Sequence, residues 1–494
     1  MSDALVVGAG PVGLTMAIEL LRYGVPCRVV DQAEQPSPYS KAIVIWPRTL
    51  ELLDGLGLAQ AFTAAGVEMD GVHLFAGRRK LTHVPMHGLQ TPFPFTLSLP
   101  QCDTERLLLE HFLRLGGRIE RGVTCTRFQQ NSAGVVVKLQ HGHREETATT
   151  PWLVGCDGAH STVRHQLAMP FDGRAVDLGF HLADVTVPGL DLKEGRIYTS
   201  PAGMLLLFPL PGGGIRVVAD TAEPEATLEG LQRLTDERGP GGLRLADPSW
   251  ISRFAVQERQ VASYRCGRVF LAGDAAHIHS PAGGQGMNTG MQDAFNLAWK
   301  LARSPEPYSQ LLDSYTLERH RVGRQVIGAT GAMASMASLR HPVARAIRNR
   351  VLQEFFGRGF FQQRLSYALS ELSISYRGSP VNGQTTRFGG RVRAGDRAPD
   401  GPLPDGRRLF QAWRDDGFTL LSFGADTSQV EALARRWKVG VIAAGPVLQE
   451  CYGAVSPSLL LVRPDGYVGV AAEPPVSEDR LDLWFSRLGV PSRS

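Results

Sequence analysis

Three short apolar runs organise this 494-residue chain, and each leads at once into a turn and then a stretch with helical period. The first, Ala4 to Val7, meets Gly8-Ala9-Gly10-Pro11-Val12-Gly13, after which Leu14, Ile18 and Leu21 recur at helical spacing. Gly24 and Pro26 end that helix, and Cys27 to Val30 predict a second strand that finishes in Asp31. The second run, Trp152 to Cys156, precedes Asp157-Gly158-Ala159-His160-Ser161 and a helix carrying Val163, Arg164 and Leu167, with Ser161 as its N-cap. The third, Arg268 to Ala272, enters Gly273-Asp274-Ala275-Ala276-His277 and a loop from Ser280 to Gly286. A helix then starts near Met287, with Met291, Ala294, Ala298 and Leu301 along one face.

Between the second and third runs the period changes to two. Val185-Thr186-Val187, Arg196 to Thr199, Met204 to Pro209 and Ile215 to Ala219 predict strands of an antiparallel sheet, which segments 72–76 and 93–99 can extend. Met204, Leu206 and Phe208 share one face, either lining an apolar pocket or packing as core. Arg216, His181 and Asp184 can meet a substrate's polar group, although a solvated or salt-bridged role is the expectation for each. Further on, Val326 to Leu339 predicts a helix ended by Pro342, and Arg345, Arg348 and Arg350 are expected on a solvated face. Gly395-Asp396-Arg397-Ala398-Pro399-Asp400 reads as a linker. Phe418 to Phe423, Ser458 to Val462 and Tyr467 to Val470 read as strands, the last two joined by the turn Arg463-Pro464-Asp465-Gly466.

Composition narrows the function classes. Fifty-two basic against 48 acidic side chains leave a formal charge of +4, too little at this length to imply a nucleic-acid partner. No apolar run approaches the roughly 20 residues that span a bilayer, and the expectation is a soluble, cytoplasmic protein with no membrane partner. The six cysteines lie apart with no CxxC pair, so neither a zinc ribbon nor a dithiol centre is expected, and no metal site is predicted.

The first block has the order strand, glycine turn, helix, strand, acid that suits a dinucleotide. Gly8 permits the tight turn, Gly10 lets backbone approach a pyrophosphate, and Gly13 lets helix and strand pack closely. The helix N-terminus favours phosphate, and Asp31 can accept ribose hydroxyls. This pattern does not separate NAD from FAD. In the third block Asp274 can accept a ribose or ribityl hydroxyl, and the helix N-terminus near Gly286–Asn288 favours negative charge on a bound ring. Asp293, Asn296 and Trp299 are expected to be surface and packing residues.

Taken together, GAGPVG at 8–13, CDGAHSTVR at 156–164 and GDAAHIHSPAGGQGMNTGMQDAFNLAWKL at 273–301 resemble the single-component (class A) FAD-dependent aromatic hydroxylases. The resemblance is strongest to their bacterial polyketide and antibiotic branch. It implies an α/β fold of the para-hydroxybenzoate hydroxylase type, with a Rossmann-like FAD domain, an antiparallel-sheet substrate domain and a thioredoxin-like C-terminal domain without a redox CxxC. The implied boundaries are 1–175 and 263–325 for the two parts of the FAD domain, with 72–99 lending strands to the substrate sheet. Residues 176–262 would bind substrate, 326–380 form a helical segment, and 381–494 the last domain.

The implied reaction uses NADPH or NADH and O2 to hydroxylate an aromatic substrate through a flavin C4a-hydroperoxide. The substrate would be a phenolic or polycyclic polyketide-type compound. Baeyer–Villiger oxygenation or epoxidation on the same scaffold stays open, as does a homodimer. No catalytic base is implied.

Carried over residue by residue, the FAD contacts are Gly8, Gly10, Pro11, Val12, Gly13, Asp31, Gln32, Lys41, Ala42, Arg48, Gln101, Asp157 and Gly158 from the first half. From the third block they are Gly273, Asp274, Pro281, Gly284, Gly286, Met287 and Asn288. Pro281 would line the reactive side of the ring, and Met204, Leu206, Phe208, Arg216, Pro281, Ala282 and Gly283 would face the substrate. Lys41 stands where relatives carry arginine, which loses a planar fork for phosphate. Asp31 and Gln32 likewise replace the more usual Glu-Arg pair.

Overall fold

The computed structural model describes residues 3–280, 283–304, 310–337, 339, 341–356, 359–383, 385–386, 391–412, 417–472, 484–485 and 488. At its centre a six-stranded sheet runs in the order Arg265–Cys266, Val269–Leu271, Trp152–Gly155, Ala4–Val7, Cys27–Asp31, Ile119–Arg121. Neighbours pair in parallel except the first two, which are antiparallel. Ala4–Val7, Trp152–Gly155 and Val269–Leu271 are buried at every position, which explains why they read as unbroken apolar runs rather than alternating ones. One continuous apolar core ties this sheet to the helices Pro11–Arg22 and Gly286–Arg303.

The second layer is an eight-stranded sheet in the order His277–Ile278, Ala246–Val261, Phe171–Thr186, Ile215–Thr221, Gly203–Pro209, Gly195–Ser200, Gly71–Ala76, Arg79–Pro85. All pairs are antiparallel except Gly195–Ser200 with Gly71–Ala76. Its spine consists of two 16-residue strands. Ala246–Val261 escapes sequence reading because Asp247, Arg253, Glu258 and Arg259 interrupt its alternation. Segment 93–99 does not extend this sheet. Its strand, Thr96–Ser98, pairs with Val44–Ile45 and Val67–Met69 in a small separate sheet, and the hairpin Gly71–Ala76/Arg79–Pro85 forms the edge instead.

The chain passes from Val269–Leu271 in the first sheet, through a single 3-10 turn Gly273–Ala275, directly into His277–Ile278 at the edge of the second. That turn therefore sits in the corner between the two sheets. Residues 417–472 build most of a five-stranded sheet ordered Thr385–Thr386, Val468–Ala472, Ser458–Val462, Thr419–Phe423, Gly440–Ala443. A parallel pair bridged by the helix Thr427–Trp437 is followed by two antiparallel strands, the thioredoxin-like arrangement. Residues 395–400, which read as a linker, are held by hydrogen bonds. Asp396 accepts hydrogen bonds from Ser375, Arg377 and Arg393, and the Ala398 N–H donates to Gly466. Pro342, expected to end a helix, opens the next one, Pro342–Phe356, after Gln310–Ala337. Among the described residues no helix is long and apolar enough to cross a membrane.

Candidate active site

The two sheets enclose a cavity of about 1180 Å3, more than the roughly 300–1,000 Å3 of most single-ligand sites. One end is built by the glycine turn. Gly8 has φ +102°, and a Cβ there would come within 2.4 Å of the Cys156 carbonyl oxygen. A Cβ on Gly13 would lie 1.9 Å from the Gly8 carbonyl oxygen, so helix and turn touch backbone to backbone. Gly10 differs: a Cβ there would meet nothing within 4 Å, because its backbone faces the cavity. The helix Pro11–Arg22 has neither a side-chain cap nor an acidic residue in its first turn, so its positive end stays open beside Gly10. Asp31, at the end of the second strand, accepts the Ala9 N–H at 2.6 Å and the Ala33 N–H at 2.8 Å. It holds the turn in place and keeps lone pairs for an outside donor.

The other end is the corner turn. Asp274 is exposed on the cavity wall, where desolvation by the surrounding protein raises its carboxyl pKa and His277 and Lys41 oppose that rise. Among the described residues its carboxylate meets no hydrogen-bond donor. The turn is fixed from behind by Asp293, fully buried on the helix Gly286–Arg303, which accepts the Gly273 N–H (3.0 Å), His277 Nε2 (2.7 Å) and Arg319 Nε (2.6 Å). Burial pushes the Asp293 pKa up, but Arg319 and His277 outweigh it and hold the group below the ordinary value. Gly286 and Met287 place the uncapped N-terminus of that helix on the cavity wall. His279 also lines the cavity, and burial depresses its pKa to about 4, so the imidazole is neutral.

The wall opposite comes from the eight-stranded sheet, and strand alternation decides what it shows. Met204, Leu206 and Phe208 face the cavity, as do Phe180, Leu182 and Val218, while Leu205, Leu207, Val217 and Ala219 turn into a separate core under the helix Leu228–Arg238. Phe180 and Phe254 stack at 5.4 Å. Arg216 lines the cavity but is engaged: Asp184 accepts its Nε and Nη2 at 2.6 and 2.7 Å, and Nη1 donates to the Lys41 carbonyl at 3.3 Å. It ties this sheet to the loop bearing Lys41 and Ala42, both on the cavity wall with Gln101.

Several expected contacts lie elsewhere. Arg48 is buried against the C-terminal sheet, where it donates to Glu51 and to the Asp465 carbonyl and stacks over Tyr467. The Asn288 side chain bonds Val44, Trp46 and Gly284, clasping strand to loop. Asp157 caps a helix by accepting from Ser161 Oγ and the Val163 N–H, which leaves Gly158 to line the cavity. Gln32 is exposed and off the wall, and His181 bonds the Glu223 carbonyl behind the sheet. Gly8, Val12, Gly273, Gly283 and Gly284 shape the turns at either end. Pro281 and Ala282 fall outside the described residues.

Asp293, Asn296 and Trp299 are not surface residues: all three are buried, and Asn296 bonds Glu318 and Asp465. Arg348 leaves its expected solvated face to line the cavity, donating to Thr199 Oγ1 at 3.1 Å. Sequence reading missed the Tyr39–Trp250 stack (5.5 Å) and Trp46, whose Nε1 donates to Gly283.

An open glycine backbone, two uncapped helix N-termini and a carboxylate facing an enclosed cavity are the donor and acceptor set a flavin dinucleotide requires. Residues 1–330 match the model of the FAD binding domain, and residues 391–488 match that of the aromatic-ring hydroxylase C-terminal region. A flavin-dependent monooxygenase of Mycobacteroides abscessus is 36% identical, over 95% of this chain and 97% of that protein. The 6-methylpretetramide 4-monooxygenase of Streptomyces rimosus is 35% identical, over 95% and 91%. The solved anhydrotetracycline hydroxylase OxyS of Streptomyces rimosus superposes with a TM-score of 0.83, at 32% identity and 99% coverage of both chains. The chain therefore belongs to the FAD-dependent aromatic-ring hydroxylases, a family of flavoprotein monooxygenases.

Proposed function

We propose that this enzyme uses NADPH or NADH and O2 to hydroxylate a polycyclic or phenolic aromatic compound of the polyketide type. The observation that carries this reading is the apolar sheet face of Met204, Leu206 and Phe208, which opens on the same cavity as Asp274. With Gly10 and Asp274 serving the cofactor, the face of Met204, Leu206 and Phe208 would be left for a second flat, apolar molecule. The relatives named for 6-methylpretetramide and anhydrotetracycline act on compounds of this kind.

In this assignment Gly10 and the helix beginning at Pro11 would hold the pyrophosphate, Asp31 the ribose and Asp274 the ribityl chain. The N–H groups at Gly286 and Met287 would offer donors to the flavin ring. Bound and reduced, FAD supplies the oxygen-activating chemistry. The protein orients the substrate ring on the sheet face, and Phe180, Leu206 and Phe208 keep water from the reacting centre. Residues 1–175 and 263–325 would serve the cofactor and 176–262 the substrate, with 326–380 adding Arg348 and 381–494 bracing the helix behind the flavin.

The test is NADPH and NADH oxidation by the FAD-loaded enzyme across phenols, naphthoquinones and polycyclic aromatic polyketides, with mass analysis of products. Polycyclic phenols should stimulate turnover most and gain one oxygen as hydroxyl. If no aromatic compound stimulates oxidation, the substrate assignment fails.

A further inference from the structure

We propose that His73, His83 and Glu194 form a site for a divalent transition metal, best suited to Zn2+, on the back of the substrate-cavity wall. His73 and His83 are cross-strand partners in the hairpin Gly71–Ala76/Arg79–Pro85, and Glu194 immediately precedes Gly195–Ser200, the strand paired to that hairpin. Both imidazoles direct Nε2 at one carboxylate, His73 at 2.5 Å from Oε2 and His83 at 3.1 Å from Oε1, with their rings stacked at 4.3 Å. All three ligand atoms lie within 4.8 Å of one another. Neighbouring ligands on tetrahedral Zn2+ sit about 3.4 Å apart, so small side-chain adjustments admit the ion and leave a fourth position for water. Two imidazoles and a carboxylate suit zinc rather than the hard cations, which prefer all-oxygen sites.

A second cluster of similar make-up differs in its charge balance. Glu120, His141 and Glu146 also converge, but Arg28 donates to both carboxylates and already supplies the positive charge. Among the described residues no arginine pairs with Glu194. Lys80, a nearby cation, is exposed. His73 Nδ1 has no partner among the described residues, so ring orientation is not reinforced and moderate affinity is expected. Val72 and Leu74, which flank His73, line the cavity, so a bound ion would pin the outer edge of the substrate wall to its neighbour strand.

The experiment is equilibrium dialysis of untagged, FAD-loaded, chelator-treated enzyme against Zn2+, followed by elemental analysis. One saturable ion per chain is expected. His83→Ala and Glu194→Gln should each weaken binding at least about tenfold, while His141→Ala leaves it unchanged. Flavin content and circular dichroism establish that each variant is folded, and Glu194→Gln keeps the side-chain shape should His83→Ala fail that check. Absence of saturable binding, or binding unchanged in the folded variants, overturns the proposal.

Discussion

At the scale of single residues, glycines at three positions in one turn do different work. Gly13→Ala places a methyl group against the Gly8 carbonyl and must separate helix from turn, costing about 3 kcal/mol or more. Gly10→Ala meets only open cavity. The first variant should therefore lose thermal stability even without flavin. The second should keep the apoprotein melting temperature and weaken only FAD binding, and equal melting losses in both would refute the distinction. If Asp274 holds the cofactor as proposed, Asp274→Ala should cost a charge-assisted hydrogen bond of roughly 1.5–3 kcal/mol, about tenfold to a hundredfold in Kd for FAD, measurable by titrating apoprotein. An unchanged Kd would show that the carboxylate does not hold the cofactor. The glycine turn and Asp274 were legible because each is defined by its immediate neighbours. The side-chain partners of Arg48 and Asn288, among them Asp465 and Val44, were not legible because they lie far away in sequence.

Among the elements, the helix Gly286–Arg303 joins the halves of the molecule. Its first turns face the cavity, and its buried polar side chains form a network with Glu318, Arg319, Glu371 and Arg463. Glu371 accepts from Gln292 Nε2 and Thr289 Oγ1, and burial raises its pKa to about 8 against the lowering effect of Arg319 and Arg48. An acid whose folded pKa is raised binds more protons folded than unfolded, so stability falls as pH rises from its unfolded value, near 4.5, to about 8. Glu371→Gln removes that titration, and its melting temperature should fall less than wild type between pH 5 and 8. Parallel profiles would contradict the assignment. This network was invisible in the sequence because a buried charge and a solvated one are spelled alike, and only the packed partners of Asp293 and Asn296 tell them apart.

For the whole molecule, the parallel sheet was legible because strands covered on both faces read as continuous apolar runs. The substrate sheet was half legible: Met204 to Phe208 alternates cleanly, whereas Ala246–Val261 carries charges, the buried Glu258 among them, that break its alternation. The cavity itself could not be read, since it lies between two sheets whose strands come from distant parts of the chain, with the turn Gly273–Ala275 as one of the crossings between them. Its size and its apolar sheet face opposite Asp274 support the central claim, that this flavoprotein inserts one atom of O2 into an aromatic ring held on that face. The most direct test is turnover of a polycyclic phenol by the FAD-loaded enzyme under isotopically labelled O2, with NADPH or NADH as reductant. The account predicts a hydroxylated product carrying one labelled oxygen atom. An unlabelled product, or NAD(P)H consumed entirely to hydrogen peroxide with every aromatic compound tried, would contradict it.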